Sequence, residues 1–320
     1  MFKIICTKLS KLVKNLMYGP VKPAIENFDL QEASIYNGDL PDVQATRPDV
    51  DDIHLNRVGI ENVCIPIKIS QKGTKELQHV QATFNMFCGV LKDIKGANLS
   101  RFVEELTENW LDKKMSSTSF RQLLESLRDR LKADDIYVSA SFRYFMPKLS
   151  PVTKKSCVMP YDCRFIGLLK EDDYKFILEV HAPITTVCPC SKAMSTVDKK
   201  RDLGKGAHNQ RGIVTIQTRA DEIVWIEDLI EVAEKGGSCA VYPILKRPDE
   251  KYVTEKAYKN PRFVEDVTRM VLDGARKLKG IFWVKVRVRN AESIHPHDAT
   301  AIAGIEKNAS KWETSSRGFY

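Results

Sequence analysis

The chain lacks any run approaching the ~18 consecutive apolar residues that a membrane-spanning helix needs, so no membrane partner is expected. It also lacks a small-domain disulfide framework. Its eight cysteines (Cys6, Cys64, Cys88, Cys157, Cys163, Cys188, Cys190 and Cys239) are scattered through 320 residues without an accompanying secretory signal. A concentrated basic face is missing as well. The net charge is +8, but Lys3, Lys8, Lys11, Lys14 and Lys22 stand in a 25-residue stretch with no acid, which leaves the body nearly neutral. Phosphate-backbone binding needs clustered cations, so nucleic acid is excluded as the main partner, while small anionic ligands stay open. With 43% apolar and 29% charged residues the chain is not a disordered one. Residues 1–17 carry a faint amphipathic pattern (Ile4, Ile5, Leu9, Leu12, Val13, Leu16) broken by lysines every three or four positions. That suits a solvated helix better than a secretory segment, and a transit peptide would favour Arg over Lys. A cytoplasmic protein is expected, with an organelle as the alternative.

At roughly 150 residues per domain the length allows two domains or one large one. Residues 1–58 read as an N-terminal arm, rich beyond residue 18 in Pro, Asp and Asn and without sustained periodicity. Period-two alternation then begins, at Val63, Ile65, Ile67 and Ile69 and again from Val80 to Val90, marking strands with one buried face. Two helical stretches follow. Phe102, Val103, Leu106 and Trp110 share a face in the first. Ser119 and Gln122 stand as a capping box before Leu123, Leu127 and Leu131 in the second. Alternation at Ile136, Val138, Ala140 and Phe142 closes a β-β-α-α-β unit, residues 59–150. The order recurs in residues 151–320: strands at Phe176–Ala182 and Ile213–Thr218, helices around Ile226–Glu234 and Phe263–Leu278, and a strand at Phe282–Val288. Lys148–Lys155 reads as a linker between the units. The pattern implies an α+β architecture with antiparallel sheets and helices on one face. Val187–Gly212 and Ser238–Asp266 interrupt it with polar residues that a fold alone does not require.

The first interruption holds Cys188-Pro-Cys190-Ser191-Lys192 and His208-Asn-Gln-Arg-Gly212. A Cys-x-Cys pair with a histidine 18 to 20 residues on supplies soft thiolate and imidazole donors suited to zinc or ferrous iron. No second Cys pair follows, which disfavours a closed four-thiolate site and favours an open one. The competing reading is two buried structural cysteines and a surface histidine. His181, inside an alternating strand, reads as a hydrogen-bonded sheet histidine. The second interruption carries Asp249, Glu250, Glu255, Glu265 and Asp266 beside Lys246 and Arg247. A solvated loop explains most such clusters, but Glu265 among apolar helix-start neighbours is expected to be partly buried. Glu292-Ser-Ile-His295-Pro-His297 directly follows the strongest strand, where a rigid strand end can hold an acid–base pair. Taken singly, each acid there also reads as a surface charge.

In order along the chain, CPCSK at 188–192, GAHNQRG at 206–212, LKRPDE at 245–250, FVED at 263–266 and ESIH at 292–295 together resemble the type IB GTP cyclohydrolases. LPDVQ at 40–44, VGI at 58–60 and KGANLSRF at 95–102 also look like that family, and the resemblance covers residues 40 to 300. It implies a tunnel fold, built of two tandem β-β-α-α-β-type units per chain and self-associated as a homodimer or homotetramer. It implies opening of the guanine imidazole ring of GTP, release of formate and formation of 7,8-dihydroneopterin triphosphate for folate-type pathways. By the same resemblance Cys188, His208 and Glu250 hold a divalent metal (zinc, manganese or ferrous iron), with no organic cofactor. Cys188, Cys190, Glu292 and His295 are the catalytic groups, and Glu265 anchors the guanine edge. An ionised carboxylate accepts two N–H bonds from guanine, a geometry that adenine does not offer. Arg211, Lys246, Arg247 and Arg101 are the candidate cations for the triphosphate.

The loop between Lys192 and His208 is longer and more charged than the family leads one to expect, with Asp198-Lys-Lys-Arg-Asp202 inside it, and Ala193 stands where an acid is expected. Three other readings compete. A ferrous archaeal-type relative would give a cyclic phosphate of dihydroneopterin. A tunnel-fold nitrile reductase would not need the Cys188, His208 and Glu250 set. A zinc-stabilised binding module gives no reason for Glu265 and Glu292.

Overall fold

The computed structural model describes residues 43–50, 52–197, 206–309 and 311–315. The basic N-terminal stretch, most of the expected arm and the charged insertion at 198–205 lie outside the described residues. The chain divides into Met1–Val43 and a compact unit, Gln44–Tyr320, that holds every element below.

The strands are β1 (Leu55–Ser70), β2 (Leu77–Val90), β3 (Lys114–Met115), β4 (Asp135–Leu149), β5 (Ser156–Lys170), β6 (Asp173–Val187), β7 (Asn209–Ala220), β8 (Cys239–Ala240), β9 (Ile281–Ala291), β10 (Asp298–Asn308) and β11 (Lys311–Thr314). The α-helices are α1 (Ser100–Glu105), α2 (Ser117–Leu131), α3 (Pro189–Met194), α4 (Ile226–Gly236), α5 (Arg247–Lys259) and α6 (Val264–Ala275). All strands join one sheet in the order β11-β10-β9-β7-β6-β5-β4-β2-β1-β3, with β8 on β6. Each neighbouring pair is antiparallel except β1 with β3.

Register turns the alternation into two faces. Ile65, Ala82, Phe142, Cys163, Val180, Ile216, Val286 and Ala303 stand opposite one another across eight strands. They belong to one core with Phe120, Leu123, Leu229 and Val267, so α2, α4 and α6 all cover this face. The helices on one face are therefore as the alternation implies. The next row, Thr83, Ser141, Arg164, Glu179, Gln217 and Lys285, points to the other face and is polar throughout. Burying a Leu- or Phe-sized side chain contributes ~1.5–3 kcal/mol, so a one-residue slip that exchanged these rows would be very costly.

Four details differ from the sequence reading. Lys148–Lys155 is no linker: it is the end of β4 and a turn into β5, closed by Ser150 N donating to Lys155 O at 2.9 Å. β5 itself escaped notice because Cys157, Met159, Tyr161 and Cys163 bury the alternate positions with Pro160, Asp162 and Arg164 between them. β10 follows β9 as a further long strand, so strands flank the helices in pairs: β1-β2 and β4-β5, then β6-β7 and β9-β10. The α2 capping box is Ser116 with Ser119, one turn earlier than expected. Ser119 N donates to Ser116 Oγ at 3.2 Å and Ser116 N to Ser119 Oγ at 2.7 Å.

Candidate functional site

The β6–β7 ladder ends at Val187 opposite Asn209, and one residue further Cys188 N donates to His208 O at 3.1 Å. This pairing brings together two motifs twenty residues apart in sequence. Pro189 opens α3 immediately after Cys188, where its missing N–H and fixed φ cost nothing. The Cys188 thiol caps that helix, accepting from Ser191 N at 3.4 Å, and is half-buried; Cys190 is exposed. Ser191 Oγ in turn accepts from His208 N at 3.3 Å. Neither cysteine is a buried structural residue.

His208 is oriented by a residue that the motif contains but sequence reasoning gave no role. Gln210 is two positions on, hence on the same strand face, and its Oε1 lies 3.0 Å from His208 Nδ1. The amide is oriented by its other end, since Gln210 Nε2 donates to Thr186 Oγ1 at 3.0 Å and to Glu292 Oε1 at 3.4 Å. Oε1 therefore faces the ring and accepts from Nδ1–H. Nε2 keeps its lone pair and has no partner among the described residues. Glu292 arrives from the end of β9, its Oε2 3.9 Å from His208 Nδ1, and both side chains are 14% exposed. Asn290, two residues before it, is 1% exposed with no partner for Oδ1 among the described residues. Gly212 lies opposite, where a Cβ would come within 2.4 Å of that oxygen. A signal for Gln210 was available: i, i+2 spacing from His208 on a strand.

Cys188, His208 and Glu292 are thus brought together, with Gln210 between the last two. α6 is tied alongside, since Arg262 N donates to Val187 O at 3.0 Å. Glu265 occupies its first turn and is exposed, not partly buried as expected. The apolar neighbours Val264 and Val267 turn to the core, while Asp266 takes the capping role from Phe263 N at 3.1 Å. α5 is a helix where a polar interruption was expected. Its Val253 and Ala257 pack with Val187 and Cys239, and Glu250 shares their helix face one turn earlier, exposed at the rim. Lys192 Nζ donates to Tyr258 O at 2.6 Å, fastening α3 to the other end of α5.

The remaining candidates stand apart within the chain. Lys246 and Arg247 are exposed at the start of α5. Arg211 is exposed and points to the sheet face opposite Gln210. Arg101 Nη1 donates to Arg130 O at 2.9 Å at the end of α2, in the first half of the sheet. His295 is exposed and stacks on His297 with ring centroids 4.9 Å apart.

The buried acid of this region is Asp249, which the sequence offered only as one of a cluster that a solvated loop would explain. Burial works to raise its pKa, yet bonds from Thr153 Oγ1 and from the N–H groups of Thr153, Lys246 and Val152 hold it well below the carboxylate range. It fastens the β4–β5 turn to α5. His181 is a sheet histidine as expected, with Nε2 2.8 Å from Glu179 Oε1 and Nδ1 3.1 Å from Thr215 Oγ1.

Among the described residues no three His, Cys, Asp or Glu side chains are close enough to hold a metal ion. The donor types nevertheless fit one: a half-buried thiol, an imidazole whose Nδ1–H is held by an amide while Nε2 stays open, and exposed carboxylates on α5 and α6. An outer hydrogen bond on the far ring nitrogen is the usual arrangement of a metal-binding histidine.

No helix among the described residues is long and apolar enough to cross a membrane. Residues 40–301 match the family model described as type I GTP cyclohydrolase folE2. The GTP cyclohydrolase FolE2 of Nitrosococcus oceani is 38% identical, covering 90% of this chain and 99% of its own length. That of Syntrophobacter fumaroxidans is 42% identical over 81% of this chain and 97% of its own. Among solved structures, the uricase of Arthrobacter globiformis is similar over 82% of this chain and 97% of its own, with 7% identity and a TM-score of 0.46. With the family model covering the greater part of the sequence, and every motif around Cys188 and His208 inside its span, the chain belongs to the type I GTP cyclohydrolase FolE2 family.

Proposed function

We propose that this chain is a metal-dependent GTP cyclohydrolase of the type IB kind. It would open the guanine imidazole ring of GTP, release formate and yield 7,8-dihydroneopterin triphosphate for folate biosynthesis. The observation that carries the reading is the His208–Gln210–Glu292 network beside the Cys188 thiol, within a chain of this family. Cys188, His208 and Glu250 are the proposed holders of a zinc, manganese or ferrous ion. Such an ion supplies Lewis acidity and a nucleophilic water at neutral pH.

The chain's own groups do the rest. Gln210 keeps the imidazole in one tautomer. Glu292, poorly bonded at Oε2, is placed to take a proton as the ring opens, and exposed His295 is proposed to pass protons onward. Cys190, exposed one residue beyond Pro189, is proposed to bear on the reacting water. Glu265 is proposed as acceptor for guanine's N1 and amino hydrogens, and Arg211, Lys246, Arg247 and Arg101 as triphosphate cations. The dispersal of those cations over the chain favours a self-associated enzyme, a homodimer or homotetramer of tunnel-fold units, and the cytoplasm is its proposed place of work.

The test is purified protein loaded separately with zinc, manganese and ferrous iron and given GTP. Formate release with rising pterin fluorescence is expected for at least one metal. Phosphorus NMR of the product should show a linear triphosphate; a cyclic phosphate would replace the product assignment. No formate with any of the three metals would overturn the proposal.

A further inference from the structure

A second concavity lies far from Cys188. Phe165, Leu178 and Thr218 stand in register across β5, β6 and β7 on the helix-covered face. α2 covers the strands on one side and α4 those on the other. Between the N-terminus of α2 and the segment leading into α4 the sheet stays open, as a cavity of about 350 Å³. That is the size range of small-molecule sites. Leu178 lies nine residues along β6 from Val187, about 30 Å at strand rise, so this is not the site described above.

Three features give the cavity a chemistry. Its floor is apolar and partly aromatic, formed by Phe165, Phe176 and Leu178, with the Phe165 and Phe176 rings 5.4 Å apart. One rim is the first turn of α2, with Ser117 and Thr118 at its start and Lys114 beside them. The Ser116–Ser119 box satisfies the Ser119 N–H, but the Ser117 and Thr118 N–H groups have no partner among the described residues, and neither has the Lys114 ammonium. The third feature is Thr218. It is 2% exposed, shares a strand face with Val214 and Ile216, and lines the cavity. Its hydroxyl has no hydrogen-bond partner among the described residues. The oxygen is not among the fully enclosed unpartnered atoms, so its remaining access is to the cavity, where a bound polar atom would meet it. The opposite rim carries Asp221 and Glu222, and Glu222 already pairs with Lys279 at 2.7 Å.

We propose that this cavity binds an amphipathic anion. Its apolar or aromatic body would lie on the phenylalanine floor, its head at the α2 terminus and Lys114, and a polar atom along the body would meet Thr218. The acids of the far rim set the orientation by repelling the charged end. Carboxylate and phosphate heads satisfy the same groups.

The test titrates the full-length protein by calorimetry with 4-phenylbutyrate, benzyl phosphate, 4-phenylbutan-1-ol and 4-phenylbutylamine. At least one of the anions should bind about fivefold or more tightly than the alcohol, the order of a helix-terminal charge effect, and the amine most weakly. Whichever anion binds more tightly identifies the head group. Lys114→Glu, at an exposed position, should weaken the anions about fivefold or more and leave the alcohol unchanged. Thr218→Met, which fills the cavity, should abolish binding of all four. If that variant does not fold, the Lys114 comparison alone decides. Equal affinity for all four probes, indifference to Lys114→Glu, displacement of the anions by GTP, or no binding at millimolar concentration would each overturn the proposal.

Discussion

Two glutamates, one buried within the sheet and one half-buried just past the end of a strand, have opposite fates. Glu179, in the middle of β6, uses both oxygens: Oε1 accepts from Arg164 Nη2 at 2.7 Å and His181 Nε2 at 2.8 Å, and Oε2 from Gln217 Nε2 at 2.5 Å. Glu292, just past the end of β9, has one long bond from Gln210 at 3.4 Å and an Oε2 no closer than 3.9 Å to His208 Nδ1. The difference follows from position. A mid-strand residue has neighbours on both flanking strands at fixed spacing, so its partners are delivered by register. A residue beyond the ladder has only what the loops bring, and is left with capacity to bind something else. The first arrangement serves stability; the second leaves a carboxylate with open capacity, which is what the proposed proton steps require.

Replacing the two acids separates these roles. Glu292→Gln keeps the shape and should lower GTP turnover about 10²–10⁴-fold, with the melting temperature within ~3 °C of the parent. Near-native turnover in a kinetic assay would remove Glu292 from the proton steps. Glu179→Leu should do the reverse, destabilising the fold by about 1–3 kcal/mol, because the buried Gln217 amide loses its acceptor while Arg164, 37% exposed, turns to water. Denaturant unfolding measures this, and the folded fraction should retain the metal content of the parent.

Glu179 also sets a pH dependence. Burial by itself would raise its pKa, but the bonds from His181, Arg164 and Gln217 outweigh that and hold it at about 2, against 4.5 for the free group. The unfolded chain therefore binds the proton first as pH falls. The stabilisation, about 3 kcal/mol, is complete above pH ~4.5 and disappears as the pH approaches ~2. Melting curves across that window should show a loss that Glu179→Leu lacks.

Smaller effects probe the open site. Gln210→Leu releases Nδ1 of His208 and should weaken metal affinity about 10–100-fold, read by competition with a chelating dye. Unchanged affinity would mean that the amide does not position a ligand. Glu265→Gln should weaken GTP binding by about 1–3 kcal/mol with metal retention unchanged, since one guanine N–H loses its acceptor. Equal affinity in equilibrium dialysis would dismiss it as the anchor.

Much of this was legible in the residues. Alternation located β1, β2, β4, β6, β7 and β9, because each buries one face against helices and the pleat enforces a period of two. β5 and β10 were not, since Cys157, Tyr161 and Cys163 in one and the small Ala299, Ala301 and Ala303 in the other make weak apolar signals. Of the site, Cys188, His208 and Glu292 could be picked out by residue type. The position of Glu265 could not: whether an acid in a first helical turn faces core or solvent depends on which face of the helix the sheet covers, and Val264 and Val267 took that face.

By itself the sequence determined the types of element, the alternation that makes one sheet face apolar, the donor chemistry of Cys188 and His208, and the family motifs. These depend on residues close along the chain or on side-chain identity. Only the tertiary structure decided that Cys188 and His208 meet through the β6–β7 ladder, that Gln210 links His208 to Glu292 across 82 residues, and that Asp249, 96 residues from Thr153, fastens a turn to a helix. Those pairings rest on strand register and helix docking, and both are set by packing the whole core at once rather than by any local segment.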